Sequence, residues 1–274
     1  MVGMWPKSRM PAAHKDVFGS RGEVELTYRF PFGEPLAPVF PAARGPRRVF
    51  IFGAYSSALH ATWKYGPRPR DRVQALAIAN EPTPFWDGAD EDVLIAKFAP
   101  PFGQLKPTAQ NGASGRALQE HYLGALRLAA ADCWITDLVN TYYARPNQRD
   151  AFRRAFESRN LEGQEWLLPL RPDRLRPGPK RMKELRDEFL EAGPSWVLTL
   201  GDEPLQALGL GRLSAHQYGH PAEEQVFGRP VALIPLTHPR NAGRLGRHSD
   251  FWAATHANWV SRDAPALASK IGAA

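Results

Sequence analysis

A histidine follows the last apolar run of the chain, in the stretch LIPLTHPRNAG. The end of a strand would hold His238 rigidly, and Pro239 fixes the backbone of the turn beyond it. The loop that follows is short and basic, and its arginines are Arg240, Arg244 and Arg247. This arrangement suits a hydrogen-bond donor aimed into a cleft beside bound phosphate. A strand-end histidine is more often a plain surface residue, so other segments must support the assignment.

Five short apolar runs alternate with segments of helical spacing. The runs lie at residues 48–53, 73–79, 133–136, 195–201 and 231–236, and the helical segments at residues 114–131, 179–192, 202–208 and 251–260. This order predicts an α/β fold with three layers, α/β/α, around a mostly parallel sheet of four to five strands. Ligands bind such sheets at the carboxyl ends of the strands. The loops after the five runs are therefore expected to meet at one cleft.

The chain is long enough to bury a large core in one domain with an appendage. Residues 1–45, rich in Pro, Gly and Arg, are expected to form an arm packed on the core. Residues 46–274 are then a single α/β domain. Its arginine- and proline-rich part near residues 148–180 is expected to be an inserted surface segment.

Composition excludes several classes of protein and favours one kind of partner. A net charge of +7 favours a polyanionic partner such as DNA. The single cysteine, Cys133, rules out a disulfide framework and a cysteine-rich zinc site. No apolar run approaches the roughly 20 residues of a membrane span, and no signal-peptide core is visible at the start. We expect a cytoplasmic monomer without membrane contact, metal or cofactor.

Four segments resemble the uracil-DNA glycosylase superfamily, in order, over roughly residues 48–260. GAYSS at 53–57 occupies the place of the family's Gly-containing first motif, and PFWDG at 84–88 is similar to its Pro-Phe loop. ITDLVN at 135–140, continuing to ARPNQR at 144–149, resembles the third motif of the bacterial and archaeal branches. His238-Pro239 stands where the family has a His-Pro-Ser loop. The resemblance implies a glycosylase that flips a base out of DNA and hydrolyses its N-glycosidic bond.

Two departures from the family pattern alter what is expected. Branches with the closest third motif often carry an iron–sulfur cluster on four cysteines, and this chain has one, so no cluster is expected. Tyr55 falls where the family has the carboxylate or amide that activates water. Glu81, Asp87 or Asp90 on the next loop would then replace it, with Glu81 as the choice, although each is otherwise a solvated loop carboxylate.

Asp137 matches the asparagine with which the family reads the base. An ionised carboxylate only accepts hydrogen bonds, so it would face uracil O4 as an unpaired charge. Against cytosine it would accept from the N4 amino group, and in its protonated form it could also donate to N3. Asp137 therefore favours cytosine or a 5-substituted cytosine. The alternative is an aspartate that caps the next helical turn.

Ordinary cytosine is an improbable target, because its removal would destroy the host genome. Known members of the superfamily include bacterial phage-defence enzymes that excise glucosylated 5-hydroxymethylcytosine, and this chain is compatible with such a role. Small residues at 54 and 56–58 would leave room for a substituent, and Trp63, Tyr65 and Trp86 could line a sugar. The alternatives are a uracil-DNA glycosylase of base excision repair and a non-catalytic DNA-binding relative.

The resemblance also implies a role for each site residue. His238, Asp137 and Glu81 are expected to be catalytic, with His238 donating a hydrogen bond to O2 of the leaving base. The expected base contacts are Phe85, Trp86, Tyr55, Asp137 and Asn140. The expected DNA contacts are Ser56, Ser57, Arg145, Arg149, Arg240, Asn241, Arg244, Arg247 and the wedge Leu245. Phe85 and Trp86 could instead be core residues, Asn140 a turn residue, and Leu245 a locally packed one.

One further pair of histidines has spacing that can suit a metal. His216 and His220 are four residues apart, with two glutamates nearby. Gly219 and Pro221 break any helix that would align them, so no metal site is expected there.

Overall fold

The computed structural model describes residues 28–157, 168–243 and 249–273. The strands are β1 Val49–Tyr55, β2 Ala58–Lys64, β3 Arg72–Asn80, β4 Gln104–Lys106, β5 Cys133–Val139, β6 Trp196–Leu200, β7 Ala222–Val226 and β8 Arg229–Leu236. Five of them form the central sheet in the order β5-β1-β6-β8-β7. The first four are parallel, and β7 is antiparallel to β8 at one edge. The expected α/β fold with a mostly parallel five-stranded sheet is confirmed.

The helices are α1 Glu91–Ile95, α2 Ala113–Leu118, α3 Gly124–Leu126, α4 Pro146–Glu157, α5 Pro179–Ala192, α6 Asp202–Ala207, α7 Pro239–Ala242, α8 Ser249–Arg262 and α9 Ala264–Ala273. A π-helical turn, Gln119–Leu123, joins α2 to α3, and a 3₁₀ turn, Ala130–Asp132, precedes β5. No helix of the described residues is both long and apolar enough to cross a membrane.

Helices cover both faces of the central sheet because its parallel strands are apolar on both sides. Along β1, Val49 and Ile51 belong to one core cluster, and Phe50 and Phe52 belong to the other. Side chains of a strand alternate between its two faces, so the two clusters lie on opposite sides of the sheet. α2, α3, α8 and α9 contribute to the first cluster, and α5 and α6 to the second. This packing gives the three layers.

A second sheet lies beside the central one and was not predicted. It is antiparallel, in the order β3-β2-β4, and Trp63 of β2 is fully buried against Phe102 and Phe156. The apolar run at residues 73–79 is part of β3, so its assignment to the parallel sheet was wrong. An apolar run of that length fits either sheet, because burial alone does not show which strand will pair with it.

Several boundaries differ from the sequence-based expectation. The helix expected at 114–131 ends at Leu126, because Arg127 takes a left-handed conformation with φ of 54°. The helix expected at 251–260 is not terminal, since α9 follows it. The segment near 148–180, expected at the surface, begins within α4, whose Phe152 and Phe156 are buried beneath the second sheet. The helices expected at 179–192 and 202–208 are present.

The described part of the N-terminal arm, residues 28–45, contacts the core at several apolar positions, which include Phe30, Phe32, Leu36 and Val39. Phe30 is fully buried beside Tyr142, and the backbone nitrogen of Val39 donates to the carbonyl of Asn140. The arm therefore reaches the loop that follows β5.

Candidate functional site

A cavity of about 250 Å³ lies beside the carboxyl ends of β1, β5 and β8. Eight residues expected in the site line it, namely Tyr55, Ser57, Glu81, Phe85, Asp137, Arg145, His238 and Arg240. Asp137 and His238 come from strands that are not neighbours, because β1 and β6 lie between β5 and β8. Even so, both side chains face the same space. The loops after β1, β3, β5 and β8 supply lining residues, but the loop after β6, also expected at the cleft, supplies none.

Asp137 is buried near the end of β5, where its backbone pairs with Gly53 of β1. The Ser56 hydroxyl donates a hydrogen bond to Asp137 Oδ2 over 3.3 Å. Because Asp137 lies within a strand, the alternative of a helix-capping aspartate is wrong. Burial raises the pKa of Asp137 to about 7, and the hydrogen bond from Ser56 and the charge of Arg181 oppose this rise.

Gly53 is required where Asp137 and Phe85 approach the backbone of β1. A Cβ atom there would collide with Asp137 Oδ1 and would lie 2.5 Å from Phe85 Cε2. The glycine of the first motif therefore provides the space in which the carboxyl and the ring stand side by side.

Glu81 is the second carboxyl of the cavity and follows directly after β3. Burial, and after it the charge of Asp137, raises the pKa of Glu81 to about 8, and a hydrogen bond with Ser57 opposes the rise. Each negative charge makes ionisation of the other carboxyl more costly, so the two titrate as a pair. We therefore expect this pair to hold at least one proton at neutral pH.

The two other carboxylates of the loop do not line the cavity. Asp90 Oδ1 accepts from the Trp86 indole over 2.8 Å, and Asp87 Oδ1 accepts from the backbone of Ala89 over 3.0 Å. Of the three candidates on this loop, only Glu81 faces the site.

His238 is held as a neutral hydrogen-bond donor. Its Nδ1 accepts from the backbone nitrogen of Arg240 over 3.3 Å, so the proton of the neutral ring is on Nε2. Burial, together with the charge of Arg240, lowers the pKa of His238 to about 4. At neutral pH the ring therefore carries no charge and offers one N–H.

Phe85 lines the cavity next to His238, with the two ring centroids 6.3 Å apart. Its φ of 54° is left-handed, which is strained for a residue with a side chain. The backbone of this loop packs tightly against α2, because a Cβ atom on Gly115 would collide with the carbonyls of Phe85 and Trp86. The ring is thus held at the cavity wall by the surrounding backbone.

Trp86 was expected beside Phe85 as a base contact, and this is wrong. Its side chain is buried in the core of the second sheet and does not line the cavity. Trp63 and Tyr65, considered as sugar contacts, pack against each other in the same core. Trp86 thus follows the stated alternative of a core residue, and Trp63 and Tyr65 are core residues as well.

Tyr55 lines the cavity in contact with Arg171, a residue that the sequence did not single out. Arg171 Cζ lies 4.4 Å from the centroid of the Tyr55 ring, and Arg171 Nη1 donates to Tyr55 Oη over 3.1 Å. The guanidinium of Arg171 thus lies over the Tyr55 ring as a cation over an aromatic face.

His60 of β2 is a second lining residue that sequence reasoning missed. Burial lowers its pKa to about 4, and its ring meets the edge of Tyr142 at 5.9 Å. Asn111 bonds both the backbone nitrogen and the carbonyl of His60, each over 2.8 Å. His60 lies in β2, a strand that was not predicted from the sequence, and no motif pointed to it.

Four expected residues are placed away from the lining of the cavity. Ser56 is buried and bonded to Asp137, and Asn241 Nδ2 donates to Thr237 Oγ1 over 3.2 Å. Asn140 is buried, and its Nδ2 has no hydrogen-bond partner among the described residues. Arg149 lies on α4. Arg244, Leu245 and Arg247 lie outside the described residues.

No group of three histidine, cysteine or acidic side chains in the described ranges is arranged to hold a metal ion. Cys133 is buried, and burial raises the pKa of its thiol to about 12, so the thiol stays protonated. No model of a known protein family matches the chain, and no curated protein shows significant similarity to it. Any function must therefore be argued from the cavity and its side chains.

Proposed function

We propose that this chain is a DNA glycosylase that binds an extruded base and hydrolyses its N-glycosidic bond. The preferred base is a modified cytosine, such as a 5-hydroxymethylcytosine derivative in phage DNA. The observation that carries the proposal is that Asp137, Glu81 and His238 line one cavity together with the ring of Phe85. These groups supply an acid, a second carboxyl, a neutral donor and a stacking surface.

The size of the cavity suits a single base. Its volume of about 250 Å³ lies below the roughly 300–1,000 Å³ typical of sites for drug-sized ligands. The Phe85 ring offers a face on which such a base can stack. A sugar on the base would have to extend out of the cavity, because none of Trp63, Tyr65 and Trp86 lines it.

His238 stabilises the departing base. Negative charge develops on O2 of a pyrimidine as the bond to the sugar breaks. The Nε2 proton of a neutral imidazole donates a hydrogen bond to that oxygen without any change of protonation. Since the pKa of His238 is about 4, this form is available across the neutral range.

The two carboxyls have different roles, because Asp137 contacts the base and Glu81 acts on the water and the sugar. A protonated Asp137 accepts from cytosine N4 and donates to N3, and transfer of that proton makes the base a better leaving group. With pKa values of about 7 for Asp137 and about 8 for Glu81, the proton of the pair resides mostly on Glu81, so the reactive form, with Asp137 protonated and Glu81 ionised, is the less populated one. In that form Glu81 orients water and stabilises the positive charge that develops on the sugar. Environments that allow one proton to be held by two carboxyls suit this combination of acid and base.

Uracil is the second candidate, and the raised pKa of Asp137 favours it. Asp137 disfavours uracil only when its carboxyl group is ionised. With a pKa of about 7, a large fraction of Asp137 is protonated at neutral pH. That form can donate to uracil O4 and accept from N3–H. Asp137 therefore reads a pyrimidine edge, and the choice between the two bases depends on other contacts.

The test is a base-release assay on oligonucleotides that contain uracil, cytosine, 5-hydroxymethylcytosine or its glucosylated form. Abasic products are detected as alkali-labile sites, and binding is followed separately by gel shift. We expect release of a modified cytosine. His238→Ala should slow it about 10²–10³-fold, as for loss of one oxyanion donor, and Asp137→Asn should slow it as well.

The control variants His216→Ala and Asp173→Asn change exposed residues outside the cavity and should keep full activity. Release of uracil alone would show that the substrate is uracil and not a modified cytosine. Binding without release of any base would indicate a non-catalytic relative, and absence of both would refute the proposal.

A further inference from the structure

Arg171 reaches the cavity from a segment that carries none of the family-like motifs. A parallel β-bridge joins Ala144 to Leu170. In it Ala144 N donates to Pro169 O over 2.9 Å, and Arg171 N donates to Ala144 O over 3.0 Å. The bridge therefore places Arg145, which follows Ala144, beside Arg171, which follows Leu170. Both line the cavity.

The guanidinium of Arg171 is held in place before any ligand binds. It stacks on the Tyr55 ring and donates through Nη1 to Tyr55 Oη. Its ion pair with Glu203 is long, with Nη2 and Oε1 3.9 Å apart. A guanidinium has five donors, and the bond to Tyr55 uses one of them, so a two-point contact with an oxyanion stays open.

Arg145 is fixed at its backbone by the same loop. Gln148 Oε1 accepts from the Arg145 nitrogen over 3.1 Å and from Tyr142 Oη over 3.0 Å. Within the described ranges, neither Arg145 nor Arg240 forms an ion pair with a carboxylate. Three guanidinium groups thus line one small cavity together with two carboxyls, Asp137 and Glu81, whose raised pKa values keep at least one of them protonated at neutral pH. The excess of positive charge repels cations and attracts anions.

We propose that Arg171 and Arg145 bind the phosphate group of a nucleotide whose base occupies the cavity. The inference rests on the proposed function for the base, but not on cleavage of the bond. A planar guanidinium matches the geometry of phosphate, and stacking on Tyr55 removes part of the conformational freedom that binding would otherwise cost. The phosphate belongs either to a free 5′-mononucleotide or to the strand that carries the extruded nucleotide.

Calorimetric titration separates these sources. The probes are inorganic phosphate, deoxycytidine, deoxycytidine 5′-monophosphate and a trideoxycytidylate that lacks a terminal phosphate. They are titrated into the full chain and into Arg171→Gln, Arg145→Gln and the control Arg186→Gln, which removes an exposed charge on α5. Thermal unfolding of each variant shows that it is folded, and Arg171→Lys keeps the charge without the planar fork.

We expect a phosphate-bearing probe to bind the unmodified chain about tenfold more tightly than deoxycytidine, as for one charge-assisted contact that is partly exposed to water. Arg171→Gln should remove that advantage, Arg171→Lys should keep part of it, and Arg186→Gln should keep all of it. An advantage for the monophosphate identifies a free nucleotide as the source, and one for the trinucleotide alone identifies the strand.

The inference is wrong if phosphate adds no affinity, or if its contribution persists in both Arg171→Gln and Arg145→Gln. These readouts need no base release. Failure of the glycosylase assay with intact phosphate-dependent binding would therefore refute only the proposed reaction.

Discussion

At the scale of single residues, the protonation of Asp137 depends on a neighbour that was expected to contact DNA. The Ser56 hydroxyl is buried and points at Asp137 Oδ2, where its hydrogen bond favours the charged carboxylate. Ser57 is placed in the same way toward Glu81. Two adjacent serines thus lower the pKa of two different carboxyls, Ser56 that of Asp137 and Ser57 that of Glu81.

Replacing Ser56 by alanine is expected to raise the pKa of Asp137 above its present value of about 7, because the charged form loses a donor. Carboxyl-carbon NMR titration with labelled aspartate measures this pKa directly. Ser57→Ala is the matched control, since it should raise the pKa of Glu81 first. An Asp137 titration that does not move in Ser56→Ala would show that the bond does not favour the charge.

The residues that were predicted share a recognisable order along the chain. Asp137 lies near the end of β5 and His238 shortly after β8, and the carboxyl ends of parallel strands meet at one edge of a sheet. Phe85 lies in a Pro-Phe motif on the loop after β3. Arg171 and His60 lacked such a signal. Arg171 depends on the bridge between Ala144 and Leu170, a contact between distant segments that no local pattern encodes.

At the scale of elements, β1 and β5 determine how closely the site groups approach each other. Their parallel register sets Gly53 opposite Asp137, and the loop after β3 brings Phe85 against the same glycine. The spacing of this part of the site is therefore a property of strand pairing, not of the loops alone.

Gly53→Ala is expected to lower the free energy of unfolding by about 1–3 kcal/mol, as for overpacking of a filled interior. The added methyl group must displace the Asp137 carboxyl or the Phe85 ring, so ligand binding should weaken too. Urea unfolding and the titrations above measure both effects. Gly178→Ala, where a Cβ meets open space, serves as control. Equal stability of the two variants would contradict this account.

α5 contacts β5 through Arg181, which also forms a buried ion pair with Glu188 of the same helix. Arg181 Nη1 donates to Glu188 Oε1 over 2.6 Å, and Arg181 Nη2 donates to Thr136 Oγ1 and to the carbonyl of Asp137, each over 2.8 Å. The helix thereby fixes the backbone of the residue that faces the cavity.

Arg181→Met should destabilise the fold by about 3–5 kcal/mol, because it leaves the Glu188 carboxylate buried without its partner. Adding Glu188→Gln should restore most of that loss, since the neutral amide can still accept from the Trp134 indole. Chemical denaturation of the single and double variants gives both values. A double variant no more stable than Arg181→Met would show that the charge pair is not the cause.

Among the elements, the buried parallel strands were predicted well and the second sheet was not. β1, β5, β6 and β8 are apolar on both faces, which gives continuous runs that can be recognised. β7 reads AEEQV and is mostly exposed, so its sequence resembles a polar loop. β2 contains a histidine and a lysine, and register shifts interrupt its pairing with β3.

At the scale of the whole molecule, buried ionisable groups of opposite kind make stability depend on pH in both directions. Asp137 and Glu81 have ordinary pKa values of 3.8 and 4.5, and folding raises them to about 7 and about 8. His60, His238 and His256 have an ordinary pKa of 6.5, and folding lowers it to about 4 in each.

The sign of each effect follows from which state binds more protons. The unfolded chain binds more protons at the three histidines as pH falls below 6.5, so acid destabilises the fold through them. The folded chain keeps protons on the two carboxyls that the unfolded chain has lost, so stability falls as pH rises toward 8. Below pH 6.5 the three imidazoles outnumber the two carboxyls.

We expect the melting temperature to be highest near pH 6.5 and to fall on both sides of it. Differential scanning calorimetry between pH 4.5 and 8 measures this profile. Asp137→Asn should flatten the fall above pH 6.5, because the amide has no proton to lose. A melting temperature that rises steadily from pH 6.5 to 8 would contradict the burial of these carboxyls.

β7 closes one side of the central sheet and leaves its outer backbone groups open to another chain. Such an edge can recruit a foreign strand and begin aggregation. Glu223 and Glu224 lie along it, and Glu223 is exposed. A second molecule that docked there through the same strand would bring carboxylates against carboxylates. The carboxylates of β7 therefore disfavour pairing of two copies through this edge, and we expect that neutralising both glutamates would weaken that protection.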